Sequence, residues 1–147
     1  MKKLTTLVLC LAALLTVRNL HAQTELTDLC RRAADLTELV QNEYQQEVVR
    51  LEFDLISSTK STYRKLYQGY DYGIVAFSDE RIADIDIKIY KLINNEWVEL
   101  GKDNTSDETA LVTITPSYTG DYRIDITSYK FSYGYDSGYY GLLVYHN

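Results

Sequence analysis

Nucleophilic or acid–base chemistry usually needs histidine, and this 147-residue chain has two, His21 and His146. His21 falls in an N-terminal stretch that reads as a cleaved leader, described below. His146 is the penultimate residue, so a Ser-His-Asp or Cys-His arrangement would rest on an end that frays unless it is tied down. Cys10 also lies in the leader, which leaves Cys30 alone in the mature chain. That excludes an internal disulfide and any two-cysteine metal site. Cys30 reads as a small buried hydrophobe on a helix. No glycine-rich loop precedes a helix, so no phosphate cradle is visible. Paired carboxylates of a glycosidase type exist in any acidic chain, and nothing here singles out one pair.

Two acidic clusters carry more chemistry. Asp79 and Glu80 stand just before Asp84 and Asp86, which lie two apart on a strand and project from one face. Asp103, Asn104, Asp107 and Glu108 form a second acidic loop. Oxygen-rich sets of this kind suit calcium, which takes six to eight carboxylate and carbonyl ligands, and neither cluster matches an EF-hand. Asp79, Glu80, Asp84 and Asp86 are therefore the candidate calcium ligands. The structural alternative is a solvated strand face beside a polar turn.

Tyrosine is the most unusual feature: the chain has 14. Between Tyr129 and Tyr135 the rings Tyr129, Phe131, Tyr133 and Tyr135 alternate along the sequence and would share one face of an extended segment. A turn at Asp136, Ser137 and Gly138 follows. Aromatic rings stack on sugars and anchor protein interfaces, because they offer rigid area with a polar edge. Phe131, Tyr133 and Tyr135 are accordingly the candidate ligand-binding residues. The alternative is that they pack in the core or under a helix. Tyr90, Tyr122 and Tyr140 read as core or cross-strand residues.

The elements that must position these residues follow from periodicity. Lys2 and Lys3, the apolar run Leu4 to Val17 and the small residue Ala22 read as a cleaved signal peptide at 1–22. The run is too short for a permanent membrane span, which needs about 20 apolar residues. Cleavage would remove three basic residues and no acidic one. The formal charge would then move from −6 to −9, with 12 basic against 21 acidic residues. Such a surface repels phosphate backbones, so no nucleic-acid partner is expected. Leu26, Leu29, Ala33, Leu36 and Val40 recur every three to four residues, with Thr24 as N-cap, and predict one amphipathic helix within 23–46. Arg31, Arg32, Asp35, Glu38 and Gln41 would form its wet face.

From about residue 47 the period changes to two. Val49, Leu51, Phe53 and Leu55 alternate with Arg50, Glu52 and Asp54; Ile85, Ile87 and Ile89 alternate with Asp84, Asp86 and Lys88. Tyr122, Ile124 and Ile126 repeat the pattern. These predict about eight strands, near 47–56, 62–67, 70–78, 83–91, 96–100, 109–115, 121–129 and 138–146, with turns such as Asn94-Asn95 and Pro116 to Gly120 between them. The expected fold is a mainly β, jelly-roll-like antiparallel β-sandwich over 47–147, preceded by one amphipathic α-helix.

Several of these pieces occur together in a known family. Gly69-Tyr70 opens a strand, Asp84-Ile85-Asp86 is followed by Tyr90, Pro116, Gly120 and Tyr122 form a Pro-x-x-x-Gly-x-Tyr corner, and Gly138, Tyr140, Leu142 and Val144 form the last strand. In order and spacing this resembles the bacterial pre-peptidase C-terminal domain, a jelly-roll-like sandwich usually attached to secreted enzymes. The resemblance implies a fold and an exported accessory role, not protease activity. In place of an upstream catalytic domain this chain has a helix of about 20 residues.

The sequence thus predicts an exported, periplasmic or extracellular, non-catalytic binding module. It would engage a protein or carbohydrate partner through an aromatic face, with no membrane span after leader removal and no cofactor beyond calcium. The alternatives are a secreted hydrolase or metal-dependent enzyme using acidic residues, and a purely structural envelope protein.

Overall fold

The computed structural model describes residues 26–147. The leader, Cys10 and the Thr24 cap lie outside the described residues. Helix α1 (residues 26–43) ends in a π-wound turn over Leu39–Glu43. Eight strands follow: β1 (Glu47–Ile56), β2 (Thr59–Leu66), β3 (Tyr72–Ser78), β4 (Ile82–Ile93), β5 (Glu96–Asp103), β6 (Thr109–Ile114), β7 (Gly120–Phe131) and β8 (Gly138–His146). They form two four-stranded sheets, β1-β8-β3-β6 (sheet A) and β2-β7-β4-β5 (sheet B). All pairings are antiparallel.

Alternation explains the core. Ile85, Ile87 and Ile89 of β4 and Tyr122, Ile124 and Ile126 of β7 turn inward and are fully buried. They meet Ile74, Ala76, Leu142 and Val144 from sheet A in one cluster. Tyr122 is packed there with its hydroxyl donating to the carbonyl of Tyr118, 3.1 Å away, and so ties down the turn before its own strand. Between β4 and β5, Asn94 and Asn95 both take positive φ (51° and 65°), the backbone of a tight hairpin turn that asparagine tolerates well.

β3 is buried along its whole length, because both of its faces are covered. Its inner face lies on sheet B. Its outer face carries Val75 and Phe77, which join Leu143 of β8 beneath Leu29, Ala33 and Val40 of the helix. Phe77 can lie flat there because its register partner is Gly141, where a Cβ would come within 2.2 Å of the ring. Arg32 pins the helix from the side. Its guanidinium donates to the Ser78 carbonyl at 2.6 Å and to Thr109 Oγ1 at 2.9 Å, and it pairs with Glu108. It is a clamp rather than part of the wet face.

Two expectations are corrected here. Cys30 is exposed on the helix and is not a core residue. Of the apolar set Val49, Leu51, Phe53 and Leu55, Leu51 and Phe53 face the helix side, where Phe53 meets Phe77 edge-on, whereas a bulge between Val48 and Arg50 puts Val48 rather than Val49 against the helix cluster; all four residues stay exposed. β1 is the edge of sheet A, and the helix centres its contacts on β3 and β8. The opposite side of β1 carries charge instead. Glu52 pairs with Arg64 and Arg50, and Asp54 pairs with Lys60, so ion pairs close the seam between β1 and β2.

Candidate binding face

The helix covers the outer face of sheet A, whereas among the described elements none lies over the outer face of sheet B. Inward packing of Tyr122, Ile124 and Ile126 forces Asp121, Arg123 and Asp125 outward on β7. Register then builds a row across the sheet: Tyr63 on β2 faces Arg123, Arg123 faces Tyr90 on β4, and Tyr90 faces Glu99 on β5. Leu92 and Trp97 face each other in the adjacent row.

The rings and the guanidinium in these rows are stacked. Arg123 lies over the Tyr90 ring with Cζ 4.2 Å from its centroid, and 5.3 Å from that of Trp97. Asp125 sits 3.1 Å from Arg123 Nε and balances its charge, although the two are not aligned as a hydrogen bond. Trp97 in turn meets Tyr63, with centroids 5.6 Å apart and planes tilted by 51°. Tyr63, Trp97, Leu92, Tyr118 and Asp121 line an open depression of about 430 Å³. Tyr118 is held in place by stacking on Tyr122 at 5.6 Å and by donating its hydroxyl to the Leu92 carbonyl at 3.3 Å.

This face was not legible in the alternation of single strands. Of the two places expected for Tyr90, core or cross-strand pair, it takes the second: it lies half-buried on the outer face with its even-numbered neighbours Asp86 and Lys88, opposite Arg123. Trp97, the only tryptophan, carried no signal by itself.

The segment from Tyr129 to Tyr139 lies towards the other end of sheet B, since Ile82 pairs with Phe131 whereas Tyr90 pairs with Arg123. Within it the structure separates the three candidate residues. Phe131 turns inward and packs against the main core, which corrects its assignment to an exposed cluster. Tyr133 is fully exposed, Tyr135 is about half exposed and Tyr129 is largely exposed. The chain turns sharply here: Gly134 has φ of +88°, and the Tyr135 amide donates to the Ser132 carbonyl at 3.1 Å. The helix does not cover these rings.

The four candidate calcium ligands are not brought together. Asp79 is buried and committed. Its oxygens accept from Arg81 Nε at 2.8 Å, from the Arg81 amide at 3.1 Å and from the Tyr139 amide at 3.0 Å. It therefore ties the β3–β4 turn to β8. Glu80 points to solvent. Asp84 is buried and accepts from Ser106 Oγ at 2.8 Å, while its second oxygen has no partner among the described residues. Asp86 is half-buried; burial and the neighbouring charges of Asp84 and Asp103 push its carboxyl above the usual range, against the pull of Lys88. Among the described residues no three His, Cys, Asp or Glu side chains converge as a metal site requires. In the second acidic loop, Asp103 is likewise engaged, accepting from the Leu111 and Thr105 amides.

No family model matches the chain, and no curated protein matches its sequence. Among solved structures the chain is similar to the Yersinia pseudotuberculosis-derived mitogen, at 13% identity and a TM-score of 0.51, over 67% of this chain and 85% of that one. That likeness is one of fold. Similar structures also include the Bacillus anthracis collagenase pre-peptidase C-terminal domain, with 10% identity and a TM-score of 0.48, over 65% and 87% of the two chains. A third is the Aeromonas hydrophila periplasmic inhibitor of g-type lysozyme, with 7% identity and a TM-score of 0.47, over 67% and 85%. The pre-peptidase C-terminal domain thus stands among several β-sandwich folds that resemble this chain. Among the described residues no helix is long and apolar enough to cross a membrane.

Proposed function

We propose that this chain is an exported, non-catalytic binding module, a sandwich of the pre-peptidase C-terminal type, that holds a protein or glycan partner through the outer face of sheet B. The observation that carries this reading is the contact between Tyr63 and Trp97 at 5.6 Å on a face that no other described element covers. Tyr63 is exposed and Trp97 partly so, and a rigidly supported aromatic platform left open to water is costly and is the usual anchor of an interface. Export is supported by the basic start, apolar run and Ala22 of the leader. The absence of catalysis is supported by the position of His146, whose ring packs 4.4 Å from that of Tyr70 and whose Nδ1 lies 2.7 Å from the Asn147 carbonyl. Family membership is supported by the Asp84-Ile85-Asp86 strand and by the Tyr122 corner.

The test is capture of partners from the native envelope and medium by the mature chain. Wild type should retain a partner that Trp97→Ala and Tyr63→Ala both lose. Equal capture by all three proteins would sink the proposal. A second reading places the contact at the Tyr129–Tyr139 segment, because Tyr133 is fully exposed. Loss of capture in a Tyr133→Ser, Tyr135→Ser double variant, with Trp97→Ala silent, would favour it.

A further inference from the structure

The depression between Tyr63 and Tyr118 has a chemistry of its own. Three of the five residues that line it are aromatic, one is Leu92, and the fifth is Asp121. The Asp121 carboxylate accepts no hydrogen bond and makes no ion pair among the described residues; Lys65, its register partner on β2, forms no salt bridge with it. Two of the donors nearby are already used. The Tyr118 hydroxyl donates to the Leu92 carbonyl, and Lys91 Nζ lies 3.4 Å from Ser117 Oγ. The other polar groups of the lining, the Tyr63 hydroxyl and the Trp97 indole N–H, are neutral, so the Asp121 carboxylate is the one full charge that the lining presents.

Aromatic faces arranged around a single carboxylate attract a cation. The ring quadrupoles present negative potential, and the carboxylate adds a full charge. This face already holds one such arrangement, with Arg123 stacked on Tyr90 and Trp97 and balanced by Asp125. We infer that the pocket formed by Tyr63, Trp97, Tyr118 and Asp121 takes the basic side chain, lysine or arginine, of a protein partner. The inference rests on the reading of sheet B as the binding face and names what that face recognises. The whole chain favours it: the mature form carries 12 basic and 21 acidic residues, so its field draws basic partners. A membrane is the weaker occupant. A choline headgroup would bring its phosphate up against the Asp121 carboxylate, and anionic lipid would repel an acidic protein.

Trp97 is the only tryptophan, so its fluorescence reports the pocket directly. The experiment titrates the mature chain with tetralysine, tetra-arginine, tetraglutamate, cellotetraose and phosphatidylcholine vesicles. The basic peptides should give a saturable change in Trp97 emission, and the other three probes none. Asp121→Asn should weaken the response about tenfold and Tyr63→Ala should abolish it. Asp121→Asn should keep the parent melting curve, and Tyr63→Ala should still unfold in one cooperative transition a few degrees lower. Silence with both peptides at millimolar concentration overturns the inference, as does an equal response to tetraglutamate, cellotetraose or vesicles. If the peptides are silent while Trp97→Ala still loses capture from the envelope, the cation is wrong and the face stands. If capture also survives, both readings fall.

Discussion

Trp97 and Tyr63 touch across 5.6 Å although their strands, β5 and β2, are the two opposite edges of sheet B. Two strands lie between them, so the rings meet only by leaning inward over Arg123, which supports Trp97 from below. A contact of this reach fixes both rings and turns a row of separate side chains into one surface.

Because the pair lies outside the core, its loss should separate binding from stability. Trp97→Ala and Tyr63→Ala should each lower stability by about 1–2 kcal/mol, from the loss of the ring pair and of the partial burial of Trp97. Chemical denaturation checks this. A loss of about 3 kcal/mol or more would mean that the pair is structural.

Tyr122 should behave in the opposite way. It is fully buried, and its hydroxyl donates to Tyr118. Tyr122→Ala should cost about 3–5 kcal/mol. Tyr122→Phe should cost about 1 kcal/mol, from the hydrogen bond alone. It should also loosen Tyr118, and with it the binding pocket, so partner capture should weaken in a protein that still folds.

Alkaline stability should report on Tyr140. Burial, reinforced by the charges of Asp54 and Glu52 and opposed by Arg64, pushes its hydroxyl from 10.0 up to about 12. A group whose folded value is raised contributes stability that is full below its unfolded value and is lost as pH rises through the folded one. That contribution should therefore disappear between about pH 10 and 12. Tyr140→Phe should show a shallower decline across this window in urea melts, and identical pH profiles would contradict the assignment.

The acid side should report on the seam between β1 and β2. Burial works to raise the Glu52 carboxyl, but the ion pairs with Arg50 and Arg64 outweigh it and hold the group below its usual value. The Lys60 ammonium, against some burial, does the same for Asp54. Lowered carboxyls contribute stability above their unfolded values and lose it as pH falls through the folded ones. Melting temperature should fall below about pH 4, and less steeply in a Glu52→Gln, Asp54→Asn double variant. Equal slopes would show that the pairs contribute nothing.

Much of the fold was legible because period-two alternation is a local signal. β1 and β8 begin and end at the residues the alternation marked, and the helix stripe Leu29, Ala33, Val40 is the one that packs. What alternation cannot say is which apolar face finds a partner. Val49, Leu51, Phe53 and Leu55 carry the same pattern as Ile85, Ile87 and Ile89, yet β1 became a sheet edge and β4 an interior strand. Arg32 looked like surface charge because its acceptors, Ser78 and Thr109, lie more than 40 residues away. The binding face was hidden for the same reason. Its rings come from β2, β4, β5 and the turn before β7, and only register across the sheet gathers them. The acidic run from Asp79 to Asp86 misled in the opposite direction: close in sequence, its carboxylates are separated by a turn and pointed into different surroundings.

The central claim is that partners meet the outer face of sheet B, and amide chemical-shift mapping of the labelled mature chain with a captured partner tests it most directly. The account predicts that the first signals to move belong to Tyr63, Trp97, Asp121 and Arg123, with the Trp97 indole N–H among them. Shifts confined to Tyr133, Gly134 and Tyr135, or to the helix and β1, with the Trp97 indole unmoved, would contradict it.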